Sequence, residues 1–344
     1  MFKDSTLFNK SFFILKILFL FFAFQILFFK KINKIKPISI NKPKPICIPI
    51  AFAINNGYTY PLIVLLASIL YNSLSSTLYE FNIMISYAFK EENKQKIDGI
   101  CKKYNNCKII FHNLGHKYQD WETNNFFYSK EVYFRLSLPD LITDYDKIIY
   151  LDSDTMVHKD LTELYEIDMK DKYFMGFPGH EIGYTEINGT RNFINTGVIL
   201  MNLKSLRKIN ATRIFENYFR NYGTKKVDEY LINIIFYDKI SFLPFKYGIP
   251  DFLKGDKIVD SPSYFWNTFN GYCNGTMEEM IEGSNNRIIT HGAYTGYKWW
   301  RRNYNDLTEV GKKWIFHASK SNVFNEICNY YYQYQNICQN LTKN

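Results

Sequence analysis

A chain of 344 residues, 47% of them hydrophobic, can bury a sizeable core in one large domain or two smaller ones. Its formal charge of +9 resembles a nucleic-acid signal, but residues 1–46 alone hold nine Lys and one Asp, which is +8 of that total. The remaining chain is close to neutral and calls for no nucleic acid or other polyanionic partner.

After a short tail (1–10), residues 11–29 read "SFFILKILFLFFAFQILFF". As a helix this run reaches roughly 28 Å at about 1.5 Å per residue, close to the ~30 Å of a bilayer's hydrocarbon core. Lys16 near one end can snorkel to the interface. A cleaved signal peptide is the rival reading, but "KKINKIKP" follows with no small-x-small cleavage site, so the run is expected to be an uncleaved transmembrane signal anchor. Residues 30–46, Lys- and Pro-rich, make a tether that cannot pack. More lysines follow the apolar run than precede it, which by the positive-inside rule favours a cytosolic catalytic side.

The globular part is expected over 47–300. "PICIPIAFAI" (45–54) reads as a strand ending at the turn signal "NNGY". Leu62, Leu65, Leu66, Ile69 and Leu70 then share one helical face. A strand at 81–87, a charged helix at 90–104, a strand at 107–113, a helix around 129–138 and a strand at 147–151 follow. This alternation predicts an α/β fold with a mainly parallel, Rossmann-like central sheet and helices on both faces. Residues 301–344 form a C-terminal extension of unknown role.

In such sheets ligands gather at the carboxyl ends of strands. "IIYLDSDTMV" (148–157) puts Asp152 and Asp154 there, whereas the similar "DYD" of Asp144–Asp146 precedes the strand and belongs to the opposite edge. Two hard carboxylates suit Mg²⁺ or Mn²⁺, typically completed by phosphate oxygens and an imidazole. His291, in "RIITHGAYTGYKWW" (287–300), follows another apolar run and is the candidate imidazole, with Lys298 as a candidate phosphate contact. The bland alternatives are a solvated acidic strand end, a structural histidine and a solvated lysine. Of six cysteines, Cys101/Cys107 and Cys328/Cys338 are spaced for local disulfides, with free thiols as the alternative. The sequons at Asn188, Asn210, Asn274 and Asn340 fit a glycoprotein facing a lumen, though an Asn-rich chain produces some by chance.

Several segments together resemble glycosyltransferase family 8, retaining nucleotide-sugar transferases of GT-A fold. "FAINNGY" (52–58) is similar to the family's first strand and turn, with Asn55 where an aspartate is common. "YSKEVYFRLSLPDLITDYDKIIYLDSDTMV" (128–157) carries its Tyr-x-Arg-Leu and DxD strand. "FINTGVILMNL" (193–203) resembles the Asn-x-Gly-Val segment, and "KVDEYLINIIF" (226–236) its acidic helix, with Glu229 in place of Gln and Tyr230 in place of the second Asp. The closing His-Gly-Lys-Trp order survives as His291, Gly296, Lys298 and Trp299 with altered spacing.

The resemblance implies a lipopolysaccharide-galactosyltransferase- or glycogenin-like hexosyltransferase. Ala53, Asn55, Tyr58, Arg135, Asn195, Thr196, Gly296 and Lys298 would bind the donor, and Asp152, Asp154 and His291 the metal. Asp228 would position the sugar's hydroxyls, and Glu229 would stabilise or trap the cationic carbon. The bland reading of that pair is that both simply open a helix. The implied cofactor is Mn²⁺ or Mg²⁺, the donor UDP-glucose or UDP-galactose, and the acceptor a saccharide, glycoprotein or glycolipid. An inactive or self-glycosylating GT-A domain is the alternative. Family members with one N-terminal anchor suggest a single-pass type II protein facing the Golgi or ER lumen, against the lysine count. "WWRR" (299–302) would rest on a membrane surface or pack over the nucleotide site, and "CNYYYQYQNIC" would close a small cap.

Overall fold

The computed structural model describes residues 45–123, 129–179, 193–223, 227–251, 253–254, 257–258, 275–292, 298–331 and 334–341. The expected anchor at 11–29 and the tether through residue 44 lie outside the described residues. Among the described residues no helix is long and apolar enough to cross a membrane.

In chain order the elements are β1 (Ile46–Ala53), α1 (Thr59–Tyr71), β2 (Thr77–Ile85), α2 (Glu91–Lys103), β3 (Cys107–Asn113) and α3 (Leu138–Leu141). Then come β4 (Ile148–Leu151), β5 (Thr155–Val157), α4 (Thr162–Glu166), β6 (Phe174–Pro178), β7 (Ile194–Met201), α5 (Leu203–Lys208), α6 (Ala211–Tyr222) and α7 (Asp228–Ile235). The remainder is β8 (Ile240–Phe242), β9 (Tyr247–Pro250), β10 (Leu253–Lys254), β11 (Lys257–Ile258), α8 (Met277–Asn285), β12 (Ile289–His291), α9 (Glu309–Ser319), α10 (Phe324–Tyr330) and α11 (Gln335–Leu341).

Seven strands form the main sheet in the order β3-β2-β1-β4-β7-β6-β8. The β3-β2-β1-β4 half is parallel, β7 runs antiparallel to both β4 and β6, and β8 is parallel to β6. Side-chain alternation divides the core between two faces. Ile50, Phe52, Ile149 and Leu151 enter one apolar cluster, while Ala51, Ile148 and Tyr150 enter the other. Because both faces are covered, β1 and β4 are continuous apolar runs.

Two helical expectations change. The stretch around 129–138 is a 3-10 helix over Lys130–Ser137 that passes into the short α3. Pro139 stands in the first turn of α3 and has no N–H to continue an α-helical ladder from the preceding turn. The apolar stripe of α1 predicted one buried face, yet every residue from Pro61 to Leu70 is buried. The outer side is covered by α9 from the C-terminal extension. The charged helix α2 behaves as expected, with Glu91 and Glu92 in its first turn and Lys102 and Lys103 in its last, complementing the helix dipole.

A second sheet, β5-β12-β9, serves the site. β12 runs antiparallel to β5, with His291 opposite Thr155, and parallel to β9, with His291 opposite Pro250. Both cysteine pairs are disulfides, Cys101–Cys107 and Cys328–Cys338. The tryptophans of "WWRR" do not lie on a surface for a membrane to meet: Trp299 is 1% and Trp300 6% exposed. They join the apolar core with Trp314 and Tyr334 of the extension.

Candidate active site

β4 ends at Leu151, and the chain turns at once. Asp152 N–H donates to the Gly197 carbonyl (2.8 Å), and Thr155 N–H returns to the Asp152 carbonyl (3.1 Å). This turn aims both aspartates off the carboxyl edge of the sheet and leads directly into β5. Pairing of β12 on β5 then delivers His291, 137 positions later in the sequence than Asp154, and Gly292 N–H donates to the Asp154 carbonyl (2.8 Å). His291 Nε2 lies 3.3 Å from Asp154 Oδ1 and 3.9 Å from Asp152 Oδ2.

Each aspartate divides its oxygens between two tasks. Asp152 Oδ1 accepts from Arg135 (2.9 Å) and from the Tyr150 hydroxyl (3.1 Å). Asp154 Oδ2 accepts from Lys298 Nζ, which also donates to the Gly292 carbonyl (2.7 Å). The remaining oxygens, Asp152 Oδ2 and Asp154 Oδ1, face the imidazole. One ligand atom from each of Asp152, Asp154 and His291 falls within 4.8 Å of the other two. Two hard oxygens and one imidazole nitrogen at that separation suit a small divalent cation of the Mn²⁺ or Mg²⁺ kind.

Burial sharpens the charges. Burial works against the Asp154 carboxylate, but Lys298 and His291 beside it hold its pKa below the ordinary carboxylate range. Burial likewise works against the Arg135 guanidinium, while Asp152 and Asp228 (Nε to Oδ2, 3.0 Å) keep it firmly charged. The guanidinium also stacks on Tyr150, 4.1 Å from the ring centre. Burial pushes the Asp228 carboxyl up to about 6, with Arg135 pulling the other way.

Asp228 and Glu229 occupy the first turn of α7, as the bland reading required, and they also face the cavity. The Thr196 hydroxyl donates to Asp228 Oδ2 (3.1 Å), while Asn195 Nδ2 (3.0 Å) and Thr196 N–H (3.1 Å) donate to Glu229 Oε2. Asn195 and Thr196 thus hold the acidic pair in place. Asn55 lines the cavity too, and its side-chain oxygen caps a 3-10 turn by accepting from Gly57 N–H (2.9 Å). Tyr58 meets Trp300 edge to face at 5.9 Å.

Every site residue expected from the sequence, except Gly296, lines one cavity of about 300 Å³. Gly296 lies outside the described residues. Sequence reasoning passed over Gly197, against which the His291 ring rests: a β-carbon at Gly197 would sit 2.0 Å from His291 Cε1. It also passed over Tyr150 and Arg301, which line the cavity too. Tyr150 stood in plain view within "IIYLDSD", but nothing local marked it as a seat for Arg135.

Residues 49–255 match the family described as Glycosyl transferase family 8. The chain belongs to that family. A putative glycosyltransferase of Haemophilus influenzae is 26% identical over 189 residues, covering 52% of this chain and 57% of that one. Glycosyltransferase GlyE of Streptococcus pneumoniae is 28% identical over 148 residues, 41% of this chain and 33% of that protein. The chain thus spans less than two thirds of the length of these curated relatives. Among solved structures, the galactosyltransferase LgtC in complex with donor and acceptor sugar analogs superposes with a TM-score of 0.65 at 19% identity, over 80% of this chain and 96% of that one. Apo GlyE gives 0.55 at 19%, over 84% and 64%. These likenesses establish the GT-A fold.

Proposed function

We propose that this family 8 chain is a retaining hexosyltransferase that moves glucose or galactose from a UDP-sugar to a saccharide, glycoprotein or glycolipid acceptor. The observation that carries the reading is the meeting of Asp152 and Asp154, from one turn, with His291, from a strand far along the chain, in a cavity flanked by Lys298 and Arg135 and facing Asp228 and Glu229. The LgtC structure with donor and acceptor sugar analogs gives the same fold a precedent for such ligands.

Asp152, Asp154 and His291 would hold Mn²⁺ or Mg²⁺, and the ion would supply Lewis acidity toward the diphosphate leaving group. The chain's own groups do the rest. Lys298 places a fixed ammonium where negative charge grows on the departing diphosphate. Arg135 locks Asp152 to Asp228, so the metal side and the sugar side of the cavity keep one spacing. Asp228 positions the sugar's hydroxyls, and Glu229 lies beside it to stabilise positive charge on the anomeric carbon. Retention follows from the family; here the acceptor would attack from the face the phosphate leaves.

The direct test is hydrolysis of UDP-glucose and UDP-galactose by the purified chain with Mn²⁺. Release of UDP is expected with one of the two, and Asp154→Asn should lower it by at least about a hundredfold, the range for losing one electrostatic stabiliser. Equal rates in wild type and variant would remove the metal reading. Glu229→Gln separates that residue: unchanged turnover takes it out of the mechanism.

For location we propose a type II orientation with the domain in the Golgi or ER lumen. Both disulfides suit an oxidising compartment, and large domains translocate with limited regard to flanking lysines. Cleavage of the domain by protease added outside intact vesicles would overturn it.

A further inference from the structure

Asp251 joins the end of β12 at His291 to Trp299, the residue after Lys298. Its backbone N–H donates to the His291 carbonyl (3.1 Å). Its Oδ2 accepts from the Trp299 indole Nε1–H (2.9 Å) and from the Thr308 hydroxyl (2.7 Å). Asp251 is 2% exposed, and a carboxylate so deeply buried is tolerated only where donors meet it. One side chain therefore joins the end of β9, the end of β12, the residue after Lys298 and Thr308, the cap of α9.

The C-terminal extension grips the same point from the other side. The buried Tyr334 hydroxyl donates to the Trp299 carbonyl. Trp314 of α9 packs against Tyr331 (5.7 Å between ring centres) and Tyr334 (6.0 Å). Gly311 leaves room for the indole, since a β-carbon there would lie 2.9 Å from Trp299 Cδ1. Cys328–Cys338 closes the stretch that carries both tyrosines.

We infer that Asp251, Trp299 and Tyr334 form a positioning chain through which the C-terminal extension sets Lys298 and His291 in the donor site. The extension lies beyond the stretch that matches the family, so this gives it a part in the reaction. The inference rests on the reading that His291 and Lys298 serve a metal and a diphosphate. None of the three residues in the chain need touch substrate. Their effect is on where an ammonium and an imidazole stand, so it should appear as weaker hold on the diphosphate and not only as a less stable fold.

The test uses the full chain in four variants: Tyr334→Phe, Asp251→Asn, the pair Cys328→Ser/Cys338→Ser, and the control pair Cys101→Ser/Cys107→Ser. UDP binding with Mn²⁺ is measured by calorimetry, and kcat and KM for UDP-sugar hydrolysis are determined well below each melting temperature. The first three are expected to weaken UDP binding and raise KM by about tenfold, the scale of one lost hydrogen bond. The control, at the α2–β3 corner, should lower Tm with UDP affinity unchanged. Tyr334→Phe keeps the ring, so it remains informative if Asp251→Asn does not fold. The inference is overturned if Tyr334→Phe and the folded forms of the others shift Tm alone and keep wild-type affinity and KM. Failure of the wild type to bind UDP with Mn²⁺ is a different result, which removes the donor-site reading and this inference with it.

Discussion

At the scale of single residues, Gly197 shows how a site can depend on an atom that is not there. Its carbonyl receives the Asp152 N–H, and its two preceding neighbours hold Glu229 and Asp228. The space above its α-carbon is filled by the His291 ring. The constraint is steric and not conformational, since Gly197 is absent from the residues with positive φ. Gly197→Ala should therefore displace the imidazole from Asp154 while leaving β7 paired. UDP-sugar hydrolysis is expected to fall about a hundredfold, the cost of a displacement near 1 Å at a reacting centre. Adding His291→Ala to that variant should then cost little more. A Gly197→Ala enzyme with wild-type kinetics would show that His291 does not need its present seat. The sequence motif "FINTGVILMNL" gave roles to Asn195 and Thr196 but none to the glycine it contains, because its reason is a contact with a residue far along the chain.

At the scale of elements, the acidic pair depends on how α7 is docked. Asn233, fully buried, places its amide against β7 much as a neighbouring strand would. Its Oδ1 accepts from Ile194 N–H (2.8 Å) and its Nδ2 donates to the Ile194 carbonyl (2.9 Å) and the Glu229 carbonyl (2.8 Å). Asn233→Ala would strip partners from two buried backbone groups at Ile194, at about 1–3 kcal/mol each. A loss of about 3 kcal/mol in urea unfolding is expected, together with a lower kcat as Asp228 and Glu229 lose register; a loss under about 1 kcal/mol would mean that α7 is held by its apolar side alone. The helix itself was legible in "KVDEYLINIIF", and so was the agreement at Asn233, but the docking was not. Local patterns of apolar residues and turn signals gave β1 through β4 and the position of Asp152 and Asp154. They did not show that β12 would pair with β5, which brings in His291, nor that Pro139 would hold the preceding turn in 3-10 form. Those outcomes depend on long-range pairing and on one missing N–H.

For the whole molecule, the charge balance bears on acid stability. Since +8 of the +9 net charge sits in residues 1–46, the folded part begins near neutrality, and buried groups govern its first response to acid. Two neighbouring, largely buried imidazoles stand out. His158 bonds Thr290 Oγ1 through Nε2 (2.9 Å), and burial, with Lys313, His317 and Arg287 nearby, lowers its pKa from 6.5 to about 3. His317 is 3% exposed, its Nδ1 has no hydrogen-bond partner among the described residues, and burial with Lys313 and Lys320 lowers it to about 4. Both are neutral in the fold, whereas in the unfolded chain they take up protons near pH 6.5. The unfolded state therefore binds more protons as pH falls, and stability that is complete above pH 6.5 declines down to the folded-state values. By pH 5 the loss is about 2 kcal/mol for each imidazole. Melting temperature should drop between pH 7 and pH 5 in the wild type. His317→Leu should drop roughly half as far, because one of two comparable linkages is gone. An identical decline in the two proteins would show that His317 carries no share of the linkage; the cavity carboxylates would not account for it, since the raised Asp228 carboxyl takes up its proton in the fold first and so favours the folded state over this range.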